Sequence, residues 1–184
     1  MIYRFVIGSE EAENFKLVVA ADSDDTFMNL RNTILKACNY SLDQMDSFYI
    51  CDDDWNKEKE ITAMDMGMEE SDEDIWLMDE TRLENLIEDE GQKMKFVFDY
   101  MTDRYFFMKL KEAIPGQSLD EPVCELKQGT PPEEMRELND FMAPAPAVKT
   151  TDISLEAFDD EFESTGYNDD EIADYGEMDS SELY

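Results

Sequence analysis

The sequence predicts a single α+β domain: an antiparallel or mixed sheet that starts strand, strand, helix, strand, with helices mainly on one face. Three observations lead there. Apolar residues alternate at the start of the chain and again between residues 94 and 110, which is the period of a strand. Between them one stretch changes to three-and-four spacing, the period of a helix packed on one side. The composition, 42% hydrophobic with eleven Phe, eight Tyr and thirteen Met, is ample for one core in a domain of roughly 140 residues.

Tyr3, Phe5 and Ile7 share one face of the first strand. The segment from Gly8 to Asn14 turns the chain, and Phe15, Leu17 and Val19 alternate again. Asp24 and Asp25 offer an N-cap to a helix whose stripe is Phe27, Leu30, Ile34 and Ala37 or Cys38. Ser47 to Cys51, aromatic and β-branched, reads as a short strand. Residues 52 to 80 read mostly as loop, rich in carboxylates but holding Trp55, Ile61, Met64, Ile75 and Trp76, so they are expected to lie against the domain. Thr81-Arg82-Leu83-Glu84 fits a capping box for a short helix with Leu83, Leu86 and Ile87 inward. Gly91 suits its close.

A hairpin of high aromatic density follows. Met94, Phe96, Phe98 and Tyr100 are expected on one face, Met101-Thr102-Asp103 in the turn, and Arg104, Phe106, Met108 and Leu110 alternating back. Tyr105 and Phe107 occupy the second face, so the hairpin is expected near the centre of the sheet. Asp99 and Arg104 flank the turn in positions that allow a cross-strand ion pair, which if exposed contributes only ~0–1 kcal/mol. A second capping box, Thr130-Pro131-Pro132-Glu133, predicts a helix with Met135, Leu138 and Phe141 or Met142 inward. The domain is therefore expected over 1–142. An Ala/Pro spacer and an acidic, disordered tail are expected over 143–184.

Charge narrows the function. The chain has 48 acidic and 15 basic residues, no histidine and a net charge of -33. From Thr150 to the end, thirteen residues are acidic and none is basic. Direct binding to nucleic acid is disfavoured, because phosphates are repelled and no basic stripe stands out. The commonest general base and zinc ligand is missing, and Ser or Cys nucleophiles lack their usual partner. Cys38, Cys51 and Cys124 are odd in number and widely spaced, which suits free thiols in a reducing compartment better than a disulfide framework or zinc knuckle. With no apolar leader or span in view, the expectation is a cytoplasmic protein with no membrane contact.

Asp52, Asp54 and Asn56 match the first, third and fifth positions of a calcium loop, but Lys57 stands where Gly is needed and Ala63 where Glu is needed. A solvated acidic loop is the better reading, and no cofactor is expected. Leu155, Phe158 and Phe162 lie at helical spacing among acids in the tail. They suit a segment that folds against a basic, apolar groove, or else are incidental to a solubilising tail.

Phe96-Val97-Phe98-Asp99-Tyr100, followed by Asp103-Arg104 and Phe106, resembles the signature of the plasmid pRiA4b ORF-3-like family, aromatic-x-Tyr-Asp-Phe-Gly-Asp-x-Trp-x-His. Thr26-Phe27 with Leu30 and Ile34, Leu83, Leu86 and Gly91, and Val123-Cys124, Gly129 and Pro131-Pro132-Glu133-Glu134 agree in order and spacing. The resemblance covers roughly residues 1 to 135. Met101 replaces the usual Gly, Arg104 the Trp and Phe106 the His, while Asp99 is kept. The resemblance implies an α+β fold and no established activity. Phe98, Asp99, Tyr100, Asp103, Arg104, Leu155, Phe158 and Phe162 are the candidate signature or interaction residues. The expected function is a noncatalytic binding or accessory protein of unknown pathway that meets a basic protein surface, with its acidic tail as a candidate route. The alternatives are a nucleic-acid mimic occupying a DNA-binding protein and, third, an uncharacterised enzyme.

Overall fold

Alternating apolar residues place β1 (Ile2–Gly8) and β2 (Lys16–Asp22) in an antiparallel pair, with Phe5 opposite Val19 and Ile7 opposite Leu17. The computed structural model describes residues 1–64 and 75–135. Helix α1 (Phe27–Cys38) follows, buried through Phe27, Leu30, Arg31, Ile34, Leu35 and Cys38. Its cap is Thr26, whose Oγ1 accepts from the Asn29 N–H at 3.3 Å, rather than the expected Asp24 or Asp25. Asp25 instead receives the Thr26 N–H and the Asn29 amide. The helix ends on Asn39 in the left-handed region (φ 61°), a conformation Asn tolerates better than most residues.

Strands β3 (Ser47–Cys51), β4 (Lys57–Thr62), β5 (Ile75–Leu77), β6 (Lys93–Asp99), β7 (Arg104–Ile114) and β8 (Val123–Gln128) complete the described elements. Together they form one mixed eight-stranded sheet in the order β5-β4-β3-β6-β7-β1-β2-β8, antiparallel throughout except for the β4–β5 pair. Among the described residues the domain holds one α-helix, so the fold is dominated by its sheet. Several helical expectations are corrected. The capping box at Thr81 opens only a single 3-10 turn, Leu83–Asn85, in which the Arg82 N–H donates to Asn85 Oδ1. Residues 131–135 carry no helix, and the remainder of that element, with the spacer and tail, lies outside the described residues.

The stretch read as loop between 52 and 80 contains β4 and β5. Lys57-Glu58-Lys59-Glu60 gives no apolar alternation, yet its backbone pairs with β3 and buries only Ile61. β8, also unforeseen, pairs with β2 and is mostly exposed. Both are the kind of polar strand that sits toward a sheet margin, where one buried residue and a ladder suffice.

One sheet face and α1 enclose the core. Phe48 and Phe96 lie 4.6 Å apart between ring centres, Phe98 and Phe106 4.5 Å, and Phe15 and Phe106 5.2 Å. The hairpin β6–β7 occupies the middle of the sheet, and Phe96 and Phe98 are buried. The second face is covered differently. Lys57 Nζ sits 4.3 Å from the Tyr49 ring centre, Lys95 4.6 Å from Tyr105 and Lys93 5.2 Å from Trp55, while Trp55 meets Phe107 edge-on. Lysine ammoniums thus sit over aromatic rings on this face, and those of Lys57 and Lys93 also donate to Asp103 and to the Asp53 carbonyl.

Candidate functional site

The signature residues form a structural clasp. Asp99 accepts from the Met101 N–H at 3.0 Å and the Thr102 hydroxyl at 2.6 Å, closing the turn. Asp103 takes the left-handed backbone the turn needs (φ 50°) and pairs with Lys57 at 2.9 Å. Arg104 is buried, with its guanidinium bidentate to Glu11 at 2.8 Å on both arms, 3.6 Å from Asp99 and 5.1 Å from the Phe98 ring. It also donates to the Glu134 carbonyl at 3.5 Å. Burial alone would lower its pKa, but the Glu11 hydrogen bond and the nearby carboxylates outweigh this and raise it. The Asp99–Arg104 pair is therefore not the exposed one expected. Its side chains are only 12% and 5% exposed, and Arg104 ties the hairpin to the turn after β1. Phe98 belongs to the core. Leu155, Phe158 and Phe162 lie outside the described residues.

Tyr100 leaves the core face on which it was expected and is 40% exposed. Its hydroxyl donates to Glu60 Oε1 at 2.5 Å and contacts the Ser47 hydroxyl. Ser47 and Tyr49 donate to the same oxygen at 2.9 and 2.8 Å. Burial first, and then these hydroxyl and carboxylate contacts, hold the Tyr49 phenol far above its ordinary value; burial raises that of Tyr100 as well. Both stay protonated, so this cluster fastens the ends of β3 and β4 and offers no phenolate. The thiols behave alike: burial pushes Cys38 up to about 12 and Cys51 up to about 11 and raises Cys124. A thiolate nucleophile is disfavoured at all three.

Beside Tyr100, where β3 begins and β4 ends, lies a cavity of about 310 Å³. Met28 and Arg31 of α1, the loop Leu42–Asp46, and Thr62 to Met64 complete its walls. Ten large apolar side chains are exposed among the described residues, and four of them, Leu42, Met45, Met64 and Tyr100, line this one cavity. The Arg31–Asp46 ion pair also lines it, at 2.5 Å, with side chains 6% and 0% exposed. Arg31 further donates to the Leu42 and Gln44 carbonyls and to Asn32 Oδ1. Asp46 Oδ2 is buried with no hydrogen-bond partner. Burial raises the Asp46 carboxyl despite the opposing pull of Arg31.

Sequence reasoning found Tyr100 and missed the rest of this wall. Leu42, Met45 and Met64 follow no strand or helix period, and a lone Arg on a helix gives no hint that it is buried. The Asp52 loop resolves more simply. Asp52 Oδ1 accepts from the Asp54 and Asn56 N–H groups and Oδ2 from the Asn56 amide, so its oxygens are engaged within the turn. These bonds hold its carboxyl below the ordinary range.

A solved structure, of a protein of unknown function from Methanosarcina mazei Go1, is similar with a TM-score of 0.52 and 10% identity, covering 68% of each chain. At that identity the likeness concerns the fold. No curated protein matches the chain. The family model of the plasmid pRiA4b ORF-3-like protein matches residues 16–171, starting later than the motifs suggested and running well into the acidic stretch. The match spans most of the sequence, and the chain belongs to the plasmid pRiA4b ORF-3-like family.

Proposed function

We propose that this protein is a noncatalytic binding module that engages a basic partner protein through the cavity beside Tyr100. The observation carrying this reading is the gathering of exposed Leu42, Met45, Met64 and Tyr100 around one concavity on a chain of net charge -33. Exposed apolar side chains concentrated at one place mark an interaction site more often than scattered ones do. The negative charge adds long-range attraction for a basic partner. The raised thiols and phenols also favour binding over nucleophilic chemistry. β5, bonded to β4, adds exposed Ile75 and Trp76.

The test is affinity capture from the native cell with two full-length baits, the natural chain and one carrying Leu42→Glu and Met45→Glu. A basic protein held by the first and lost from the second supports the reading. Equal capture by both baits defeats it. If duplex DNA displaces the captured protein from both baits equally, mimicry of nucleic acid by the surface carboxylates is the better account.

A further inference from the structure

We infer that the cavity takes a lysine side chain flanked by apolar residues, its ammonium donating to Asp46 Oδ2, from an amphipathic segment of the partner. The inference rests on the binding role just proposed and names its recognition chemistry.

Three features converge on it. First, the acceptor is unused: Asp46 Oδ1 is held by Arg31 Nε, whereas Oδ2 is buried and unpaired. A buried acceptor without a partner costs free energy that an incoming donor recovers. Second, the guanidinium beside it has no donor to spare. Arg31 places Nε on Asp46, Nη2 on two carbonyls, and Nη1 on Asn32 Oδ1 and the Met28 sulfur. Third, the walls suit a long aliphatic stem and its neighbours. Met28, Leu42, Met45 and Met64 are apolar, and methionine adapts its shape more readily than branched side chains. Reaching Oδ2 requires side-chain movement, which three methionines make easy.

The cation is a lysine rather than an arginine because one acceptor oxygen is free. An ammonium is compact and carries three rotatable donors, whereas a guanidinium presents five in a fixed plane and would bury most of them unpaired. Asp43, which also lines the cavity, adds negative charge at its wall. At about 310 Å³ the space lies at the lower limit of small-molecule pockets and accommodates one or two side chains.

The experiment uses the full chain labelled with ¹³C at its methionine methyls and two short amphipathic peptides, one of leucine and lysine and one of leucine and glutamine, at about 0.15 M salt to screen diffuse attraction. The lysine peptide should shift the Met28, Met45 and Met64 methyls saturably and bind about tenfold more tightly than the glutamine peptide. Asp46→Asn should bring the two peptides to within about twofold of each other. Leu42→Glu, an exposed change that keeps the buried pair intact, should weaken both. Unmoved Met94 and Met108 methyls confirm that each variant is folded. Lysine preference that survives Asp46→Asn overturns the inference. So does binding that shifts other methyls and leaves Met28, Met45 and Met64 unmoved; that result spares the binding role, which stands or falls on capture by the two baits.

Discussion

Among the described residues two arginines are buried, and they are buried in different ways. Arg104 faces the Glu11 carboxylate with both arms, Asp99 beside it and a ring beneath it. Its partners are themselves engaged, and the Glu11 side chain keeps 31% exposure to water. Arg31 is also fully bonded, but its carboxylate is not: Asp46 is out of water with one oxygen idle. The first arrangement is complete and serves as a rivet between β7 and the turn after β1. The second holds an unmet hydrogen-bonding demand next to exposed methionines. Burial of charge alone does not distinguish a structural pair from a site. The idle oxygen is what separates the two pairs here.

The most severe test of the rivet is the ring beneath it. Phe98→Ala should lower the unfolding free energy by ~3–5 kcal/mol, since Phe98 meets Phe106, Tyr40 and the Arg104 guanidinium. A thermal melt within a degree or two of the parent would contradict the packing described. Arg104→Met should cost about 3 kcal/mol in urea unfolding, toward the lower end for a broken buried pair because Glu11 is partly hydrated. A loss under ~1 kcal/mol would return the pair to the surface class.

Titration sharpens the contrast around Asp46. Burial raises its carboxyl, so its protonation stabilises the fold at low pH and that contribution is lost as pH rises. Asp46→Asn should therefore cost less at neutral pH than in acid. Asp22 behaves oppositely: burial works against its charge, but the N–H groups of Asp24 and Leu119 and the N-terminal ammonium pull its carboxyl below the ordinary value. Its contribution is present above about pH 4 and lost as pH falls, so Asp22→Asn should cost more at neutral pH than in acid. Urea midpoints for both variants against the parent at the two pH values decide this, and parallel trends would refute it. The smallest effect belongs to the cavity rim, where Leu42→Glu should leave stability within ~0.5 kcal/mol while altering peptide binding. A larger loss would mean that Leu42 serves packing.

The legible and illegible parts of this chain divide along the same physical line. The hairpin from Met94 to Leu110 announces itself because its buried positions are large, aromatic and two apart. Phe96 and Phe106 are fully buried at its centre. β4 and β8 escape notice because strand formation there relies on a backbone ladder beside a preformed neighbour, which Lys57-Glu58-Lys59-Glu60 does not display in its side chains. The Asp99–Arg104 pairing could be read from positions across a turn. Its burial depended on Glu11, 93 residues away from Arg104 in sequence. The cavity depended on four separate segments meeting. Contacts that depend on distant segments leave little periodic trace.

The strand order has a consequence for how the chain reaches this state. β1 lies between β2, its neighbour in sequence, and β7, with Ile2 opposite Ile114. The opening hairpin therefore has one ladder available from sequence neighbours, while the other edge of β1 waits for Arg104–Ile114. β3, likewise, pairs early with β4 and only later with β6. Local hairpins close small loops, whereas the ladders β1–β7, β2–β8 and β3–β6 each carry the entropy cost of closing a larger one. Until these ladders form, β1, β2 and β3 each have one unpaired edge. β7 covers the edge of β1, β8 that of β2 and β6 that of β3. Lysines among the strand residues, Lys16 on β2 and Lys57 and Lys59 on β4, are the kind of charge that discourages pairing between exposed edges.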